Sequence, residues 1–360
     1  FRSNFVKESE EQVMLRKKIL YVLSSILIIT CLVFSLVITS CATTEEFEGV
    51  TWIASDTPYS KVPAWDYWLG DMANDLSVAT DGKVTVEFRE GLYGSSERLG
   101  PVNENVIQLT LLHEVNYSTT ISEWNLTMLP FILNEHKEFI DFIDGGGKQL
   151  YVDDVLERYG YTNLETFFTV SSGEQWIRTS TPLRTVNDFD GVKLRTWPAL
   201  QGIIEDFGGI YTMIPWEELS LALDRGVIDA LTAPDGSALS YEFYQWVPYQ
   251  SMLPLVVSFP ATLVINKNAL NELPSDLRQT VIDFFNDVGK KINDELEWTG
   301  RAALEQELRA VGVEFIEPDP ALLAQAQSLA KPYIEAWANE KPEHMALITK
   351  MEEVLGRDIL

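Results

Sequence analysis

The sequence predicts an α/β protein of two lobes, joined by crossing hinge strands and spanned by a long helix. Three observations predict it. A chain of 360 residues exceeds what one core of ordinary size organises, so two lobes of roughly 150 residues each are expected. Strand-like and helix-like patterns alternate in two separate series, which implies parallel sheets flanked by helices. Apolar positions also recur at helical spacing over a stretch too long for either lobe alone.

In chain order, a polar tether from Thr43 to Gly49 leads into VTWIAS, read as a strand. Ala64 to Val78 reads as an amphipathic helix and KVTVEF as an alternating strand. A helix around Ser96 to Asn105 and the strand NVIQLTLL extend this first series. The second series runs through GVKLRTW, a helix near Leu200 to Phe207, YTMIP, a helix over Glu217 to Asp224, and VIDALTA. FFTVSS and LPLVVSFPATLVIN flank that series and are more apolar than a half-buried edge requires, so the lobe crossings are expected there. The boundaries follow as 42–172 for lobe I, 173–258 for lobe II and 259–300 for the return to lobe I.

From Asp276 to about Ala310, Leu277, Val281, Ile282, Phe285, Val288, Ile292 and Leu296 recur at helical spacing after Pro274 and the candidate cap Ser275. An unbroken helix of about 35 residues would extend about 50 Å and lie across both lobes. Helices over Pro320 to Trp337 and Glu343 to Leu355 complete the chain, with Lys331-Pro332 as an expected interruption or kink. Residues 301–360 are expected to pack on lobe II.

Composition narrows the function. A chain that is 46% hydrophobic with two cysteines is neither disordered nor a disulfide-built miniprotein. Its formal charge of −27 opposes a phosphate backbone, so no nucleic-acid partner is expected. The histidines His113, His136 and His344 are scattered, and no HExxH, CxxC pair, GxSxG, GxGxxG or GxxxxGK[ST] occurs. Metal-hydrolase, nucleotide and serine-hydrolase chemistry lose their usual support, and no metal or cofactor is expected.

The amino-terminal region reads as an export segment. Arg16-Lys17-Lys18 precedes an uncharged run from Ile19 to Ser40 that ends at Cys41, the pattern of residues 14–41 as a bacterial lipoprotein signal with Cys41 as the lipidated residue. The competing reading is an uncleaved anchor, since about 22 apolar residues span a bilayer. Residues 1–13 read as an upstream extension. Either way the bulk of the chain is expected outside the cytoplasm; residues 42–360 hold 22 basic and 51 acidic side chains, a net −29.

Ligands of open α/β sheets bind beyond the carboxyl ends of the strands, in the cleft between lobes. Arg195 ends the strand in KLRTWP. A guanidinium matches a carboxylate with two parallel hydrogen bonds, and at an effective dielectric near 20 the Coulomb attraction at 4 Å is roughly 4 kcal/mol. The net negative charge does not preclude an anion, because exposed charges beyond about 8 Å are screened at physiological salt. From spacing alone, pairing of Arg195 with one of the many acidic groups is the simpler reading.

PLRTVNDFDGVKLRTWP, GGIYTMIPWEELSLALDRGVIDA, the Ala233-Pro234 step and WNLTMLPFIL together resemble the extracytoplasmic solute-binding subunit of tripartite ATP-independent periplasmic (TRAP) transporters, the DctP family. The resemblance covers Val50 to about Leu355 and implies a periplasmic-binding-protein-like fold. It implies that Arg195, the arginine of G-x-K-x-R, grips the carboxylate of the solute. It places Gln175 where several relatives carry a second arginine, with Arg178 as a substitute, and Ala233 where an asparagine is common. It matches Trp216 to an aromatic position against the solute. Trp176, Trp197, Asp235, His113, Asn116, Tyr117 and Asp56 complete the candidate set.

The expected function is a non-enzymatic receptor that closes on a small organic acid and delivers it to the transporter's membrane subunits. Tryptophans around one arginine suit an acid with an apolar or ring-bearing body. An exported hydrolase or lyase with paired carboxylates, or a sensory lipoprotein, are the alternatives.

Overall fold

The computed structural model describes residues 14, 16–24, 47–56, 67–171, 174–293 and 301–360. The chain divides into two compact units, Phe1–Glu48 and Gly49–Leu360. In the first, residues 16–24 are helical and exposed; Cys41, Cys31 and most of the apolar run lie outside the described residues.

The second unit opens with β1 (Val50–Ala54), α1 (Met72–Ala79), β2 (Val84–Phe88), α2 (Leu99–Asn103), β3 (Leu109–Leu112), α3 (His136–Phe142), α4 (Asp154–Arg158) and β4 (Leu164–Ser171). It continues through β5 (Trp176–Thr179), β6 (Lys193–Arg195), α5 (Gln201–Asp206), β7 (Ile210–Thr212), α6 (Leu219–Asp224), β8 (Ala230–Ala233), α7 (Asp235–Ser240) and β9 (Tyr249–Ser251). Then follow β10 (Pro260–Asn266), α8 (Lys267–Asn271), α9 (Ser275–Lys291), α10 (Arg301–Ala310), β11 (Glu314–Ile316), α11 (Pro320–Glu340) and α12 (Pro342–Leu355).

Two sheets result, ordered β2-β1-β3-β10-β4 and β11-β9-β5-β8-β6-β7. Within the β-α-β series the strands are parallel: β1 with β2 and β3, and β6 with β7 and β8. The strands of the two crossings are antiparallel to their neighbours. β10 runs antiparallel to β3 and β4, and β5 antiparallel to β8 and β9. A crossover helix returns a strand in the same direction, whereas a segment arriving from the other sheet needs no such return. β10 is buried at every position, which explains why PATLVIN is largely apolar and does not alternate.

Asn266 ends β10 and caps α8. Its side-chain oxygen accepts from the amides of Asn268 (2.8 Å) and Ala269 (3.4 Å), while its Nδ2 donates to the Val102 and Asn103 carbonyls. Asn266→Ala is expected to cost about 1–2 kcal/mol, the upper range for losing a cap, seen as a lower Tm with the ligand response unchanged.

The stretch read as one helix from Asp276 to Ala310 contains α9 and α10, with residues 294–300 outside the described set. α9 packs on β4 and α1, and α10 on α7. Ser275 is the first residue of α9 rather than its cap; Pro274 holds the cap position. Of the expected interruption or kink at Pro332, the interruption does not occur, since α11 continues through it to Glu340. A proline inside a helix costs about 3 kcal/mol. Leu322, Ala326, Ala330, Ile334, Trp337 and Ala338 are buried along α11, and the larger of these contribute roughly 1.5–3 kcal/mol each, which outweighs the proline.

The expectation that residues 301–360 pack on lobe II is also corrected. Leu322 and Ala326 join the apolar cluster of Leu194, Ile203 and Phe207 around the second sheet, but Ile334 and Trp337 join that of Phe139, Phe142 and Tyr151 beside the first. α12 packs on α3. His344 stacks on Trp337 at 4.0 Å and bonds the Ser122 hydroxyl at 2.9 Å. The apolar stripe, not chain position, decides where each turn settles.

Candidate functional site

Register places the two arginines of the second sheet in one row. Arg195 pairs with Leu231 on one side and Thr212 on the other, and Arg178 pairs with Leu231 and Gln250. Paired residues share a face, and strands lie about 4.8 Å apart, so the arginine backbones stand roughly 10 Å apart across β8. Both side chains are buried, at 1% exposure.

Their surroundings differ. Arg178 donates to Asp235 Oδ1 at 2.6 Å, Gln250 Oε1 at 2.9 Å and the Ala233 carbonyl at 3.2 Å. Arg178 and Asp235 therefore serve each other. Arg195 donates through Nε to the Ile214 carbonyl at 3.0 Å, and its guanidinium carbon lies 4.5 Å from the Trp197 ring centre and 5.9 Å from that of Trp216. These rings favour the cation.

A line of rings joins the two sheets at this place. His113, after β3, lies 5.5 Å from Phe259, and Phe259 lies 5.6 Å from Trp197. Trp216 makes edge contacts with Tyr241 and Phe243 at 5.6 and 5.8 Å. Across the lobes, the Ser95 amide donates to Glu217 Oε1 at 2.8 Å, beside Trp216. Phe259, Tyr241 and Phe243 were not singled out from sequence; their only signal was the apolar and aromatic character of the crossing and of YEFY.

The first-lobe candidates have mixed placements. Asp56 forms a buried ion pair with Arg98 at 2.8 Å and accepts from Trp68 Nε1 at 3.0 Å, so its two oxygens are engaged within the lobe. The Tyr117 hydroxyl accepts from the amides of Arg98 and Leu99, both at 3.1 Å. Burial and the nearby Arg98 guanidinium push His113 down to about 3. Its neighbour Glu114 is pushed up to about 8 by burial, against the opposing hydrogen bond from Thr262. Asn116 Nδ2, Trp197 Nε1 and both amide atoms of Gln175 are buried without a hydrogen-bond partner. Trp176 pairs with Ala233 at the strand ends, half-buried. A separate hollow of about 300 Å³ on the first lobe, lined by Gln149, Asp153, Tyr161 and Lys267 among others, shares no residue with this site.

Comparison with known proteins gives a consistent result. The family described as DctP, bacterial extracellular solute-binding protein, family 7, matches residues 66–341. A monocarboxylate 2-oxoacid-binding periplasmic protein of Nostoc is 29% identical over 164 residues, 42% of this chain and 42% of that protein's length. A Bordetella pertussis extracytoplasmic solute receptor binding pyroglutamic acid superposes with a TM-score of 0.74 at 17% identity, over 84% of this chain and 100% of the other. A Chromohalobacter salexigens TRAP periplasmic solute-binding protein with bound D-glucuronate gives 0.74 at 22% identity, over 84% and 99%.

Proposed function

Because the chain belongs to the DctP family of bacterial extracellular solute-binding proteins, we propose that it is the solute receptor of a TRAP transporter, capturing a small organic acid by its carboxylate on Arg195. The observation that supports this most is the buried Arg195 guanidinium within 4.5 Å of the Trp197 ring centre and 5.9 Å of that of Trp216, beside a contact that joins the lobes. In this reading the acid's two oxygens meet the guanidinium fork, and its body lies along the tryptophan faces. Lobe closure removes water from the ion pair, so the acid favours the closed state over the open one. The captured acid is then delivered to the membrane subunits, unchanged. Cys41 carries a lipid anchor in this reading; an acylated amino-terminal peptide beginning at Cys41, seen by mass spectrometry, would support it, and an unprocessed chain would refute it.

The relatives supply the test panel: 2-oxo monocarboxylates, pyroglutamic acid and D-glucuronate, with neutral analogues as controls. At 100 times its dissociation constant, a ligand that binds only the folded state stabilises by about 2.7 kcal/mol. At least one acid is expected to raise Tm by several degrees and to be recovered chemically intact after the protein is denatured. No response to any acid contradicts the receptor reading, and conversion of the acid supports the hydrolase or lyase reading instead.

A further inference from the structure

Resting on the proposed receptor reading, we propose that Glu217 is a latch between the lobes: by accepting a hydrogen bond from the Ser95 amide it holds the closed form and slows release of the captured acid, whichever acid that is, without contacting it. Ser95 lies between β2 and α2 of the first lobe, and Glu217 between β7 and α6 of the second. Glu217 Oε1 accepts from the Ser95 amide at 2.8 Å, across 122 residues of chain. A bond between groups on different lobes forms only when the lobes meet, so its free energy belongs to the closed state alone.

Both ends of the latch are tied to the candidate site. On the first lobe, Ser95 is buried in a turn that the Glu97 amide closes on the Gly94 carbonyl at 3.0 Å, while Glu97 Oε2 accepts from the Gly94 amide at 3.1 Å. The residues on either side are anchored too: the Tyr93 amide donates to the Ser55 hydroxyl at 3.3 Å, and Arg98 holds Asp56 at 2.8 Å. The donor is therefore fixed backbone, and only the Glu217 side chain has to be ordered when the bond forms. On the second lobe, Glu217 follows Trp216, whose ring centre lies 5.9 Å from the Arg195 guanidinium carbon and whose edges meet Tyr241 and Phe243. The Tyr241 phenol, hydrogen-bonded to the Trp216 side chain, lies within electrostatic reach of Glu90 and Arg98 of the first lobe.

The strength of the latch suits a reversible receptor. Glu217 is otherwise exposed, so water competes for its carboxylate and the bond stands near the lower end of those made to charged acceptors. That lengthens the life of a loaded closed form without sealing an empty one against entry. An acid enters the open form, in which the latch is already broken, and leaves only after the latch breaks, so the contact acts on release and not on capture.

The experiment is stopped-flow tryptophan fluorescence on wild type, Glu217→Ala, Glu217→Gln, Glu218→Gln and Arg195→Ala, with pyruvate, pyroglutamate and D-glucuronate as probes. For each acid that binds wild type, Glu217→Ala should raise the release rate about 5- to 15-fold, with the association rate within about twofold of wild type and the Tm of the empty protein unchanged. Glu217→Gln keeps an acceptor without the charge and should fall between wild type and the alanine variant. Glu218→Gln removes the same charge one residue further on and should release the acid as wild type does. An unchanged release rate in Glu217→Ala, a severalfold difference in its effect between acids, or an equal effect in Glu218→Gln overturns the latch, while loss of binding in Arg195→Ala still upholds the receptor reading. If no acid binds wild type, the receptor reading fails and the latch with it.

Discussion

Arg195→Lys is expected to lose at least tenfold in affinity for the acid, and Arg195→Ala at least a hundredfold, both with the fold retained. A charge-assisted hydrogen bond contributes roughly 1.5–3 kcal/mol, and the guanidinium can make two at once. Lysine keeps the charge but offers a single compact ammonium on a flexible stem. It also loses the Nε bond to the Ile214 carbonyl and the guanidinium's contact with the Trp197 ring. Titration of both variants with the acid that most stabilises wild type measures this directly, and circular dichroism checks the fold. Wild-type affinity in the lysine variant would mean that charge alone is recognised.

The second large effect concerns pH. Glu114 and His113 are adjacent, fully buried and shifted in opposite directions. Burial raises Glu114 from 4.5 to about 8, so the folded chain holds a proton that the unfolded chain releases. Its contribution to stability is complete below pH 4.5 and is lost as pH rises to about 8. His113 falls from 6.5 to about 3. Its contribution is complete above pH 6.5 and is lost as pH falls towards 3.

Each proton changes stability by about 1.4 kcal/mol per pH unit. Between pH 4.5 and 6.5 the two slopes cancel, leaving a plateau from this pair with declines on either side. Above the plateau, Glu114→Gln should remove most of the decline and raise Tm at pH 8 relative to wild type by several degrees, while Thr262 keeps a hydrogen-bonding neighbour. Denaturant midpoints of both proteins from pH 4 to pH 9 test this. Parallel curves would show that Glu114 does not ionise on unfolding in that range.

Much of the architecture could be read from the chain because local pattern and tertiary burial agree. GVKLRTW alternates and becomes β6, and LVVSFPATLVIN is predominantly apolar because β10 is buried on both faces. The failures occur where distant partners outweigh local rules. Pro332 reads as a break, but α11 is held on each side of it by a different apolar cluster. The candidate site was legible in kind, through an arginine at a strand end with tryptophans nearby, but not in its allocation of partners. Asp56 and Arg178 look like free ligand groups in a linear chain. Their counter-ions, Arg98 and Asp235, lie 42 and 57 residues away, a separation that no periodicity encodes. The place of Phe259 between His113 and Trp197 depends likewise on the crossing segment folding back across both sheets.

The most direct measurement is a crystal structure of the protein with the acid that most raises its Tm. The account predicts both carboxylate oxygens within about 3 Å of two Arg195 guanidinium nitrogens, with the body of the acid against Trp197 and Trp216. An acid seated elsewhere, or held at this place by groups other than Arg195, would contradict it.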